Sequence, residues 1–177
     1  FRSVPLSMLP RMVAWWPLDE TLTATTFKDF AGANDALIQP APLDVPGIIQ
    51  AYPAGKVAGA CWFLVSPGHG RAPNATSLNF GNGSFSLDCW FQAFGQMNTR
   101  YMAIVDKYDA INNWGYWVGI NQGNLELRLG GTVGGAITYN GGTVPGPNAG
   151  WVFIGVAVDR AASQVRFQIN STVTTVP

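Results

Sequence analysis

Charge is what this sequence has least of. Asp, Glu, Lys and Arg make up 11 % of its 177 residues, ten of each sign, and the formal net charge is zero. A nucleic-acid backbone or an anionic membrane recruits clustered Lys and Arg, so no footprint for either partner is present. Histidine occurs once, at His69, and cysteine twice, at Cys61 and Cys89; these are too few soft ligands, at the wrong spacing, for zinc. The only glutamates are Glu20 and Glu126. Asp19 and Glu20 are neighbours that point opposite ways on a strand, Glu126 stands alone, and no Glu-x-Asp-x-x-Glu arrangement occurs, so the carboxylate pair of a glycan-active enzyme is not found. His69 lies in a Gly/Pro-rich stretch with no Gly-x-Ser-x-Gly signature near it. The expectation is therefore no catalysis. No apolar run approaches the roughly 20 residues of a membrane-spanning helix, and no stretch has a convincing helical period.

What the chain has instead is turn chemistry and aromatic residues. It holds 21 Gly, 12 Pro, 47 % hydrophobic and 12 % aromatic residues, which fits an all-β protein with many turns and one core large enough for a single domain. The clearest segment is Phe85 to Phe91, FSLDCWF. Phe85, Leu87, Cys89 and Phe91 share one face and Ser86, Asp88 and Trp90 the other, behind a Gly81-Asn82-Gly83 entry.

The rest of the chain reads outward from that strand. Residues 1 to 11 carry Pro5 and Pro10 and read as an extended arm. Met12 to Leu18 reads as an apolar strand that Pro17 puts at an edge. Lys28 to Asp35 is a short acidic loop before a strand at Ala36-Leu37-Ile38, and Gln39 to Pro53 is a proline-punctuated connection. Ala60 to Val65 reads as a strand with Cys61, Phe63 and Val65 on one face, followed by an exposed loop from Ser66 to Ser77. Further strands are expected at Tyr101 to Tyr108, Gly115 to Ile120 and Leu125 to Leu129, the last two a hairpin about Asn121-Gln122-Gly123-Asn124. Ala136 to Tyr139, Trp151 to Asp159 and Gln164 to Ile169 complete roughly eleven strands of an antiparallel two-sheet β-sandwich, and Ser171 to Val176 has the β-branched composition of one more. The start at Phe1, without Met or leader, reads as an excised mature segment. Sequons at Asn74, Asn82 and Asn170 are compatible with secretion to the outside or the cell surface.

The stretches MVAWWPLDE, KDFAGANDA, GKVAGACWF, LNFGNGSFSLDCWF, IVDKY and GWVFIGVAVDR follow one another in the order of a family. From about Met12 to Asn170 the chain resembles the laminin-G-like, concanavalin A-like jelly-roll domains of secreted bacterial proteins. The resemblance implies a non-catalytic recognition or adhesion module for a polysaccharide or a cell-surface glycoprotein, often with a structural calcium. It also implies further strands after Asn170 to close the sheet, where this chain ends at Pro177.

Four expectations attach to particular residues. Asp29 and Asn34 offer side-chain oxygens and Gly32 a carbonyl to a calcium ion, with Glu20 as an outer ligand; the alternative is an Asx turn with no metal. Tyr108, Asn112, Asn113 and Trp114 occupy a loop between two strands and combine aromatic faces with amides, which suits a saccharide. Most of the other tryptophans read as core. Cys61 and Cys89 are expected to form a bridge in an oxidising compartment, the alternative being two buried thiols acting as small hydrophobes. Finally, an unanchored arm beside an open edge suggests self-association by strand exchange into a filament of structural subunits, against a simpler reading in which Thr172 to Val176 closes the sheet within its own chain.

Overall fold

The computed structural model describes residues 12–40, 43, 49–64, 68–132 and 135–177. The expected arm, residues 1 to 11, lies outside them, as does Val65. Thirteen strands are found among the described residues: β1 (Thr26–Phe27), β2 (Ala36–Gln39), β3 (Ile49–Tyr52), β4 (Ala60–Phe63), β5 (His69–Arg71), β6 (Phe85–Phe91), β7 (Tyr101–Asp109), β8 (Trp114–Asn121), β9 (Asn124–Thr132), β10 (Gly135–Thr143), β11 (Val152–Asp159), β12 (Gln164–Ile169) and β13 (Thr172–Val176). All the strand pairs are antiparallel. The protein is an all-β sandwich. The chain forms two compact units, Phe1–Asn79 and Phe80–Pro177.

In the second unit, two four-stranded sheets, ordered β10-β9-β8-β7 and β13-β12-β11-β6, enclose one core. Tyr116, Val118, Ile120, Leu125, Leu127 and Leu129 come from the first sheet, and Val152, Ile154, Val156, Val158, Val165 and Phe167 from the second. The strict alternation of buried residues along β11 is what period-2 geometry requires of a strand with one face in a core. β6 spans the FSLDCWF segment, and its Phe85, Leu87, Cys89 and Phe91 pack against this core. The β8–β9 hairpin closes through Gln122 and Gly123, with φ of 48° and 84°, the two positive values that a twisted two-residue turn needs. β13 pairs with β12 of its own chain, Thr172 opposite Ile169 through Val176 opposite Val165, and no described strand pairs on its outer side.

The first unit holds a three-stranded sheet, β1-β2-β5, and the pair β3-β4, around Phe27, Ala36, Ile38, Leu43 and Ile49. Several expectations are corrected here. Met12 to Leu18 is not a strand, because its backbone groups are taken by the acidic loop: Trp15 N–H donates to Asp29 Oδ1 at 2.8 Å, and Trp15 C=O accepts from Phe30 N–H at 2.9 Å. Leu18 adds a φ of 59°, which no ladder accommodates. His69 lies in β5, paired with Gln39, so the expected loop contains a strand. β3 falls inside the proline-punctuated connection. Phe63 does not follow Cys61 into the interior and remains 43 % exposed.

Gly141 tests how tightly the second core is built. It is buried in an irregularity of β10, between Asn140 and Gly142, and a Cβ there would run into the ring of Phe167, itself 1 % exposed. Gly141→Ala is expected to lower stability by about 1–3 kcal/mol through overpacking. Urea unfolding measures this, and a midpoint equal to the parent's would show that the ring has room to move.

Candidate functional site

The β7–β8 hairpin brings together the loop residues singled out from the sequence. Asp109 pairs with Trp114 to close it. Asp109 Oδ1 accepts the N–H of Ile111 at 2.9 Å and of Asn112 at 3.2 Å, and Oδ2 accepts Asn112 Nδ2 at 2.7 Å. Tyr108 Oη donates to Asn113 Oδ1 at 2.7 Å, and Asn113 takes a φ of 57° that asparagine tolerates well. Asn112 and Asn113 thus shape the loop, while Trp114, 65 % exposed, and Ile111, 91 % exposed, face solvent. Ile111 was not anticipated.

Tyr108 also belongs to a larger surface that no local reading would assemble. On the outward side of the β10-β9-β8-β7 sheet, strand register places Tyr101 opposite Asn121, Asp106 opposite Trp117, Trp117 opposite Arg128, and Glu126 opposite Gly119. Tyr101 stacks on Trp117 with ring centroids 4.5 Å apart and planes 16° from parallel. The Trp117 indole lies where Gly119 leaves room, since a Cβ at Gly119 would collide with it. Trp117 is buried, whereas Tyr101 is 53 % exposed. Arg128 holds its guanidinium 5.5 Å from the Tyr108 ring centre, and Asn121 Nδ2 donates to Glu126 Oε1 and Oε2 at 3.3 and 3.2 Å. The Tyr101 hydroxyl is pushed above its ordinary pKa by burial, with Arg128 opposing and Glu126 and Asp106 adding to the shift. Chemically, this is an aromatic platform bordered by an arginine, carboxylates and an amide.

The acidic loop is closed around the Asp29 carboxylate. Asp29 Oδ1 accepts the N–H groups of Trp15, Ala31 and Gly32, and Oδ2 accepts both the N–H and the Nδ2 of Asn34, at 2.8 to 3.1 Å. Asn34 Nδ2 also donates to Val13 C=O, and Asn34 Oδ1 accepts from Ser77 Oγ. Lys28 pairs with Asp35, whose other oxygen accepts Asp29 N–H. Glu20 Oε1 accepts Lys28 N–H at 2.8 Å, and Glu20 Oε2 is buried without a hydrogen-bond partner. Calcium takes six to eight oxygens. Here the Asp29 carboxylate is surrounded by N–H donors, one oxygen of Glu20 is left over, and no group of three or more His, Cys, Asp or Glu that could hold a metal occurs among the described residues. The hydrogen bonds to Asp29 are those of an Asx turn.

In place of the expected bridge the structure holds two free thiols. Each fills its own core: Cys61 packs against the Phe27 cluster and Cys89 against the core between the two four-stranded sheets. Burial pushes both thiols up to about 12, with the nearby charges of Glu20 and Asp88, respectively, adding to it. Neither is a nucleophile at neutral pH.

Comparisons with known proteins give a fold likeness. No protein-family model matches the chain, and no curated protein matches it. A solved structure described as the binding domain of botulinum neurotoxin DC in complex with rat synaptotagmin II is similar in fold, with a TM-score of 0.56 at 16 % identity. The match covers 93 % of this chain and 39 % of that one. It supports the all-β fold and leaves the laminin-G-like assignment as a resemblance.

Two measurements test the loop. Burial raises the Asp29 pKa, and the N–H groups of Trp15, Asn34, Ala31 and Gly32 outweigh it and hold the carboxyl below its ordinary value. A lowered folded-state pKa contributes stability that is present above the unfolded value of about 3.9 and is lost as pH falls through the folded value. Asp29→Asn is therefore expected to cost roughly 1–3 kcal/mol at neutral pH, with the gap to the parent closing in acid below about pH 4. Thermal unfolding across pH checks it; a gap that stays constant would remove the carboxylate from this role. In the same assay, a chelator is expected to leave the parent's melting temperature unchanged, and a fall would restore the calcium reading.

Proposed function

We propose that the chain is a non-catalytic recognition module that binds a neutral polysaccharide on the outward face of the β10-β9-β8-β7 sheet. The Tyr101–Trp117 stack carries this reading: one ring is locked down by packing while its partner keeps half its surface for a ligand. A sugar ring offers an apolar face to such a platform and a rim of hydroxyls to planar polar groups, and Arg128, Glu126 and Asn121 supply those groups along the same face. One cation and two carboxylates, counting Asp106, do not favour an acidic glycan. Secretion or surface display fits this role and belongs to the same proposal.

A second reading has its own observation. Ile111 and Trp114 project from a hairpin tip already pinned by Asp109, and a rigid, exposed Trp beside an aliphatic residue is a frequent anchor for a protein partner. The solved domain of similar fold is itself described in complex with a protein. Screening the chain on an array of neutral glycans, then titrating the best hit by calorimetry, separates the two readings. Tyr101→Ala is expected to weaken the glycan about tenfold or more, a loss of one stacking platform, while Ile111→Ser leaves it unchanged. An array without hits, or a Tyr101→Ala variant that binds like the parent, would overturn the glycan assignment.

A further inference from the structure

The acidic loop has a consequence on its outer side. Phe30 N–H donates to Trp15 C=O at 2.9 Å while Trp15 N–H donates to Asp29, so the two backbones are fastened together and their rings meet 5.9 Å apart at 56°. Gly32 is tight in the same place, since a Cβ there would come within 2.8 Å of Val13 C=O and 2.9 Å of Asp29 Oδ2. Trp15 and Phe30 line a shallow cavity of about 220 Å³, together with Pro17 and Asp19. Phe30 is 65 % exposed. We propose that this aromatic corner is a site for a small organic cation bearing a quaternary or methylated ammonium group.

Three features select that chemistry. Two aromatic side chains inclined at 56° line one small cavity, which suits a compact, roughly spherical cation attracted by ring quadrupoles. A sugar wants a flat platform, as in the Tyr101–Trp117 stack, and a corner at 56° does not provide one. Among the described residues of the lining, Asp19 carries an ionisable side chain, a carboxylate whose negative charge favours a cation. The volume is below the roughly 300–1,000 Å³ usual for drug-sized ligands and so suits a headgroup-sized cation. Because the corner is held by main-chain hydrogen bonds before any ligand arrives, little ordering is left for binding to impose. This site is independent of the glycan reading, sharing no residue with it.

The probe is choline, set against 3,3-dimethylbutan-1-ol, its uncharged isostere with carbon in place of nitrogen, and both are titrated into the full chain by ligand-observed NMR. Choline is expected to bind with weak affinity, and the isostere several-fold more weakly. Phe30→Ala, at an exposed position that leaves the Asp29 hydrogen bonds in place, is expected to reduce choline binding about fivefold or more. Asp19→Asn is expected to reduce it less and to flatten its dependence on salt. Equal binding of the isostere, a Phe30→Ala variant that binds choline like the parent, or no choline binding would each overturn the assignment, as would a methyl glycoside that binds in choline's place.

Discussion

A β-strand sends successive side chains to opposite sides, and in the second unit this one constraint makes both the core and the outward aromatic face. Along β8, Tyr116, Val118 and Ile120 turn inward and Trp117, Gly119 and Asn121 turn outward. The glycine matters as much as the tryptophan. With no side chain at 119, the Trp117 indole can lie close against the sheet, and Tyr101 can then cover it. A core strand with Val or Thr at that position would bury its inner face equally well and would have no such platform outside.

One local device recurs in both units. In the acidic loop, Asp29 accepts the N–H groups of residues two and three positions on; at the hairpin tip, Asp109 does the same with Ile111 and Asn112. Each aspartate satisfies backbone donors that a tight loop would otherwise leave to water, and each is held below the ordinary carboxylate pKa, Asp109 by its hydrogen bonds to Asn112 and Ile111. Each loop also shows apolar surface outward, Phe30 in one and Ile111 in the other. Fixing the backbone from within lets a loop hold an exposed apolar side chain in a defined place.

Much of this was legible in the residue order. FSLDCWF announces β6 by alternation, Gln122-Gly123 announces its hairpin by turn chemistry, and STVTTV announces β13 by β-branching. MVAWWPL misleads because apolar composition says that a segment is buried or packed without saying where its N–H and C=O groups go; here a distant carboxylate and Phe30 take them. The platform was illegible for a different reason. Tyr101, Trp117 and Arg128 meet only through register, and a bulge between Ala103 and Val105 changes the parity of β7, so that Tyr101 and Ala103 share a face with Asp106 and Tyr108. Simple alternation from Tyr101 would have put Val105 and Lys107 there instead.

The scarcity of charge then bears on how recognition works. With 11 % charged residues and no net charge, the chain has little long-range field to steer a ligand, so the recognition proposed above would rest on short-range shape and ring geometry. Its aromatic pairs differ in that respect. Rings 16° from parallel present a flat surface, whereas rings at 56° stand inclined to each other, and the two proposed ligands differ accordingly. The inclination is set in each case by the backbone beneath: a cross-strand register with a glycine floor for one pair, a carboxylate-pinned turn for the other. The inclination of the rings in this protein is thus decided by which main-chain groups hold them, more than by the identity of the rings themselves.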